Sequence, residues 1–161
     1  MENSGNYVRR YLSRNGAEVL VHSLHTGPER ADNEWIARFL ADGGKTVKLL
    51  PIGSEPNVKN PDAEIDGIVW EFQTNRVGSA NSVDNEIRRA HRQADCILLW
   101  LAVEIEVEKL ENAIYNRVRQ CPNLLQCRFI FQNRLYEFSR AQIVTQAFRG
   151  KLGAKGEGGP A

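Results

Sequence analysis

The stretch from Asn60 to Gln73, NPDAEIDGIVWEFQ, decides how the rest of the chain is read. Asp66-Gly67 is a favoured two-residue hairpin turn, because Gly accepts positive φ at no steric cost and Asp tolerates it better than most residues. A turn there sets the register. Ile65 then pairs with Ile68, Glu64 with Val69, Ala63 with Trp70 and Asp62 with Glu71, and directly opposed residues of an antiparallel pair point to the same face. Alternation puts Gln73 on the face of Asp62 and Glu71, and leaves Ala63, Ile65, Ile68, Trp70 and Phe72 as an apolar face. The hairpin is expected to bury one face and to carry oxygen ligands on the other.

Two carboxylates and an amide at a strand end suit a hard divalent cation, Mg2+ or Mn2+, held by one or two carboxylates with water in the remaining positions. Such an ion activates water and stabilises a phosphoryl transition state. Acidic residues on the outer face of a hairpin are otherwise simply solvated. The residues alone leave both readings open.

Upstream, residues 1–16 read as a helical or irregular opening ended by Gly16, and Glu18 to Leu24 as a strand. His22 and His25 have no Cys or carboxylate at a usual metal-ligand spacing and read as incidental histidines. Past Gly27-Pro28, Asp32 is the expected N-cap of a helix from Asn33 to Asp42 that stops at Gly43-Gly44. Trp35, Ile36, Phe39 and Leu40 supply its apolar stripe, and Glu34 points away from the stripe's centre. Thr46 to Pro51 is a short strand, followed by a loop to Asn60.

Downstream, residues 74–82 (TNRVGSANS) form a polar loop containing Arg76, suited to contact a substrate backbone. Ser82 is the expected cap of a helix through about Asp95, with Val83, Ile87, Ala90 and Ala94 inward and Glu86, Arg89 and Gln93 on another face. CILLWL, Cys96 to Leu101, is an apolar strand of the kind buried on both sides. A helix from Glu104 to Arg119 follows, turning Ile105, Leu110, Ile114 and Val118 inward. Then come a second hairpin around Gln132-Asn133 and a last helix started by Ser139. The order of elements predicts an α/β fold, a single domain over residues 1–149 with a mixed sheet flanked by helices. Residues 150–161 are Gly-rich and expected to be disordered.

A chain of 161 residues is one domain's length and enough for a sizeable core. With 42% hydrophobic and 25% charged residues it has the balance of an ordinary globular protein. No apolar run is long enough to span a bilayer and the N-terminus lacks a signal-peptide core, so action in the cytoplasm without a membrane is expected. A net charge of +1 does not decide for or against nucleic acid, since distribution matters. Arginines do gather, at Arg9, Arg10 and Arg14 and again at Arg88, Arg89 and Arg92. Cys96, Cys121 and Cys127 fit no common zinc spacing and are expected to be reduced, buried thiols. There is no Walker loop, dinucleotide fingerprint or nucleophile elbow.

Pro61-Asp62, then Asp66-Gly67, then Glu71-Phe72-Gln73 resembles the PD-(D/E)XK nuclease motif, with Asp62 in the first acidic position and Glu71 in the second. Gln73 stands where that family usually has Lys, a position that some restriction endonucleases of this fold fill with Glu or Gln. The longer run from Phe39 through Leu101 resembles the tRNA-nuclease domain at the C-terminus of contact-dependent growth inhibition toxins. This resemblance implies a metal-dependent endonuclease, with Asp62 and Glu71 on the metal and Gln73 positioning water. It also implies a further acidic residue from the first helix, Glu34, with Glu29 second. Arg89, Gln93 and Arg76 become substrate contacts, tRNA the substrate and an immunity protein a partner. Two alternatives stay open: a nuclease-derived module that binds nucleic acid or protein without cleaving, and a metal-independent ribonuclease using His22, His25 or His91.

Overall fold

The computed structural model describes residues 4–153. Eight strands follow one another in sheet order as they do in the chain: β1 (Tyr7–Leu12), β2 (Glu18–His22), β3 (Val47–Leu49), β4 (Ala63–Ile65), β5 (Ile68–Asn75), β6 (Cys96–Leu101), β7 (Gln126–Phe131) and β8 (Arg134–Ser139). Four helices intervene, α1 (Arg30–Asp42), α2 (Ala80–Ala90), α3 (Val107–Val118) and α4 (Arg140–Val144). The expected α/β class, a mixed sheet with helices packed on it, is the one observed. The chain forms two compact units, Met1–Phe72 and Gln73–Ala161, with the boundary inside β5.

In the first unit β1 and β2 are antiparallel, with a bulge between Arg9 and Tyr11. The opening segment, read from sequence as helical or irregular, has a short 3-10 turn at Ser4–Asn6, as that reading allows, and then the strand β1, which it does not. The strand's exposure on both faces removes the alternation that marks a half-buried strand. β2 crosses through α1 to the parallel β3, and β3, β4 and β5 run antiparallel. Helix α1 begins earlier than expected, at Arg30, so Asp32 lies in its first turn, where a carboxylate favours the positive end of the helix dipole, and does not cap it. It stops at Gly43 and Gly44, whose φ of 98° needs glycine. Asn33, Ile36, Ala37, Leu40 and Ala41 form its buried stripe, while Trp35 and Phe39 stack on each other 5.6 Å apart at the margin.

The decisive hairpin forms as read. Asp66 (φ 54°) and Gly67 (φ 79°) make the turn, and Ala63–Trp70, Glu64–Val69 and Ile65–Ile68 are the paired residues. Ala63, Ile65, Trp70 and Phe72 are buried, and only Ile68, next to the turn, is exposed. β5 continues to Asn75, so the polar loop is shorter than expected and starts at Arg76.

In the second unit the cap of α2 is Ser79, three residues before the expected Ser82. Ser79 Oγ accepts from the Ser82 backbone N–H at 3.1 Å, and Ser82 Oγ accepts from the Ser79 N–H at 3.3 Å, a reciprocal box. The helix ends at Ala90, short of Asp95. β6 and β7 are parallel, β7 and β8 antiparallel around Gln132 (φ 52°) and Asn133 (φ 62°), and Ser139 caps α4 as expected. Phe129, Phe138 and Phe148 join Ile97, Leu99 and Ile114 in the core. All three cysteines are free and buried. Residues 150–153, read as the start of the disordered tail, instead fold back: Leu152 is buried and the Gly150 N–H donates to Glu111 Oε2 at 2.8 Å. The remainder of that stretch lies outside the described residues. Among the described residues no helix is long and apolar enough to cross a membrane.

Candidate active site

Asp62 sits one step beyond the last paired residues of β4 and opposite Glu71, as the register requires. Its side chain is held from several directions. Oδ2 accepts from the Phe72 backbone N–H at 2.9 Å, and Oδ1 accepts from Asn33 Nδ2 at 3.3 Å. The Glu71 carboxyl also hydrogen-bonds to Asp62. Glu71 itself is only 8% exposed, so what the sequence reads as an outer face is an enclosed one. Burial pushes the Asp62 carboxyl above the ordinary value of 3.8; the bonds from Phe72 and Glu71 pull it down in part, and the charge of Glu29 adds to the rise. Two carboxylates in contact, one of them largely desolvated, form a donor set that fits a cation.

Sequence reasoning missed two residues behind Asp62. The amide of Asn33, from α1, reaches both Asp62 and His25 Nε2, the latter at 3.2 Å. His25 Nδ1 lies 2.6 Å from the Leu50 carbonyl, which can only accept, so in the neutral ring that nitrogen carries the proton and Nε2 accepts from Asn33. The chain Leu50–His25–Asn33–Asp62 fixes the carboxylate from α1 and from the end of β3. Asn33 carried a readable signal: it falls on the 33, 36/37, 40/41 period that is the buried face of α1. His25, in the turns after β2, carried none.

Glu34, expected to assist, is directed elsewhere. It bridges Arg30 at 3.2 Å and Arg10 at 3.6 Å, and Asn33 is the α1 residue that meets Asp62. Gln73 follows Glu71 by two positions on β5 and is half-buried. Among the described residues no group of three or more His, Cys, Asp or Glu gathers as a metal cluster.

In the second unit, Arg76 lies over the Trp100 ring at 5.4 Å, Arg89 is exposed on α2, and Gln93 is half-buried just past the end of that helix. Glu86, which shares the face of Arg89, is buried and accepts from Asn75 Nδ2 at 2.7 Å. Burial raises its carboxyl above the usual value, against the pull of Asn75 and Arg89.

Residues 59–134 match the family described as the contact-dependent growth inhibition CdiA C-terminal domain. No curated protein matches the chain. Among solved structures, a chain of the CdiA-CT/CdiI toxin and immunity complex from Burkholderia pseudomallei is similar in fold, with a TM-score of 0.52 and 22% identity over 69% of this chain and 84% of that one. The sequence match covers the Asp62–Glu71 hairpin and the likeness of fold extends beyond it, so sequence and structure agree that this chain is similar to the C-terminal toxin domains of contact-dependent growth inhibition.

Proposed function

We propose that the domain is a toxin acting as a metal-dependent endonuclease, which hydrolyses backbone phosphodiesters of nucleic acid, with tRNA as its substrate class, Mg2+ or Mn2+ as its cofactor and the cytoplasm as its site of action. The observation that carries the reading is the contact of Asp62 with Glu71 on an enclosed face. Two acidic groups held together and largely desolvated resist full ionisation, and a divalent cation bound between them offsets that cost. When bound there, such an ion supplies Lewis-acid stabilisation and a more acidic water. Asp62 and Glu71 are its ligands, and magnesium suits a site with so few protein donors because it retains several waters. Asn33 positions Asp62 by donating to Oδ1. Gln73 is neutral and so is no general base at neutral pH; its carbonyl accepts from water and its NH2 donates to phosphate. Arg76, Arg89 and Gln93 are the proposed substrate contacts, and an immunity protein is the proposed partner.

The histidine alternative is disfavoured by His25, whose two ring nitrogens are both engaged, and by His91, whose Nδ1 pairs with Asn123 Oδ1 at 3.0 Å. Cleavage assays on tRNA, other RNA and DNA with magnesium, manganese or chelator test the proposal. Cleavage that needs the ion is expected, weakened by Gln73→Ala and tolerated or accelerated by Gln73→Lys. Undiminished cleavage in chelator overturns it.

A further inference from the structure

Next to Asp62 the first unit contains a cavity of about 490 Å3, within the range of small-ligand sites. Pro61 and Leu50 form part of its wall, and both touch on the carboxylate's surroundings: Pro61 precedes Asp62, and the Leu50 N–H donates to the Asp62 carbonyl at 2.9 Å. Tyr7 and His22 form an aromatic corner, ring centroids 4.9 Å apart and edge to face. His22 Nδ1 accepts from the Leu24 N–H at 3.0 Å, which leaves the proton of the neutral ring on Nε2 as a donor.

Charge and polarity divide in a way that matches one class of ligand. Lys59 lines the cavity, and Lys48 Nζ lies over one face of the Tyr7 ring, 5.5 Å from its centroid. The Glu64 carboxylate, also in the lining, is an acceptor. An aromatic surface takes a flat π-face, an acceptor takes a ring N–H or amino group, and lysines take a phosphate. Those three together are the features of a nucleotide, whose unstacked base is recognised by stacking and by hydrogen bonds at its edge.

We infer that the cavity lined by Tyr7, His22, Lys59 and Glu64 is a nucleotide-binding pocket that receives one base of the substrate next to the phosphodiester held at Asp62 and Glu71. Its role with substrate rests on the nuclease reading; its occupancy by a nucleotide does not.

The test is an amide chemical-shift titration of the whole domain in chelator, with each common nucleoside monophosphate, with inorganic phosphate and with free nucleoside. At least one nucleoside monophosphate is expected to shift amides around Tyr7, His22–Leu24, Leu50 and Lys59–Asn60. Tyr7→Ala is expected to weaken that binding about tenfold, the size of one lost stacking interaction, and Tyr7→Phe to retain it. Retention in Tyr7→Phe separates lost stacking from lost folding. The inference is overturned if no nucleotide shifts these amides, if inorganic phosphate alone reproduces the pattern, or if Tyr7→Ala, with its remaining spectrum intact, binds as wild type. Absence of these shifts in an enzyme that cleaves removes the pocket and spares the nuclease; the shifts without any cleavage do the reverse.

Discussion

The molecule contains two tight hairpins whose central turn residues all have positive φ, β4–β5 around Asp66-Gly67 and β7–β8 around Gln132-Asn133, and they treat charge in opposite ways. In the second, Arg128 and Glu137 are direct cross-strand partners, with Nε and Oε1 2.7 Å apart. Opposite charges face each other there, which is how a sheet accommodates ions. In the first, the equivalent place is taken by Asp62 and Glu71, two acidic groups hydrogen-bonded to each other on an enclosed face where burial disfavours ionisation of Asp62. One pair stabilises its hairpin and the other burdens it. A burden of that kind is retained where it has a use, because perturbed titratable groups gather at functional sites.

The largest break in this contrast should come from deleting the burdened pair. Asp62→Ala or Glu71→Ala should lower magnesium-dependent cleavage by about a thousandfold, the equivalent of about 4 kcal/mol, without lowering the midpoint of urea unfolding. Titration calorimetry that still detects magnesium in the double variant would sink the site. Next in size, Trp70→Ala should cost about 3 to 5 kcal/mol of stability, since the side chain is 1% exposed on the apolar face of the same hairpin. An unchanged unfolding midpoint would contradict the packing described for that face.

The pH dependence sharpens the comparison. Burial raises the folded-state carboxyl of Asp62 above its ordinary 3.8, so between those two values the folded protein binds the extra proton. That contribution to stability is full below the ordinary value and is lost as pH rises through the folded one. Measured by chemical unfolding without metal, the stability of wild type minus that of Asp62→Asn should therefore fall as pH rises from 3.8. A difference that grows with pH would mean Asp62 is stabilised as an anion. The smallest effect belongs to the compensated pair: Glu137→Gln should cost less than about 1 kcal/mol and leave cleavage untouched. A loss of activity there would erase the distinction between the hairpins.

What the sequence made legible was local or strictly periodic. The Asp66-Gly67 turn sets its own register, CILLWL needs only its apolar run, and Ser139 with Gln142 announces a helix start in four residues. β1 escaped notice because YVRRYL is exposed on both faces and is held by pairing with β2, a long-range fact. The expected stripe of α1 was rotated because Ala37 and Ala41 are buried while the large Trp35 and Phe39 stack outside it. In the site, Asp62 and Glu71 were readable from one hairpin, but His25 and Asn33 come from two other segments and converge only in the fold. Glu34 had the right charge on the right helix, and its neighbours Arg10 and Arg30 claim it.

The distribution of thiols has a practical consequence. The chain has three cysteines, and Cys96, Cys121 and Cys127 all lie after Phe72. Burial pushes each thiol up, Cys127 furthest, so little reactive thiolate exists at neutral pH while the second unit is closed. A thiol-reactive reagent thus clocks the opening of the second unit around these residues. The wild-type chain carries a built-in reporter, with which an immunity partner or a ligand can be located by whether it slows labelling.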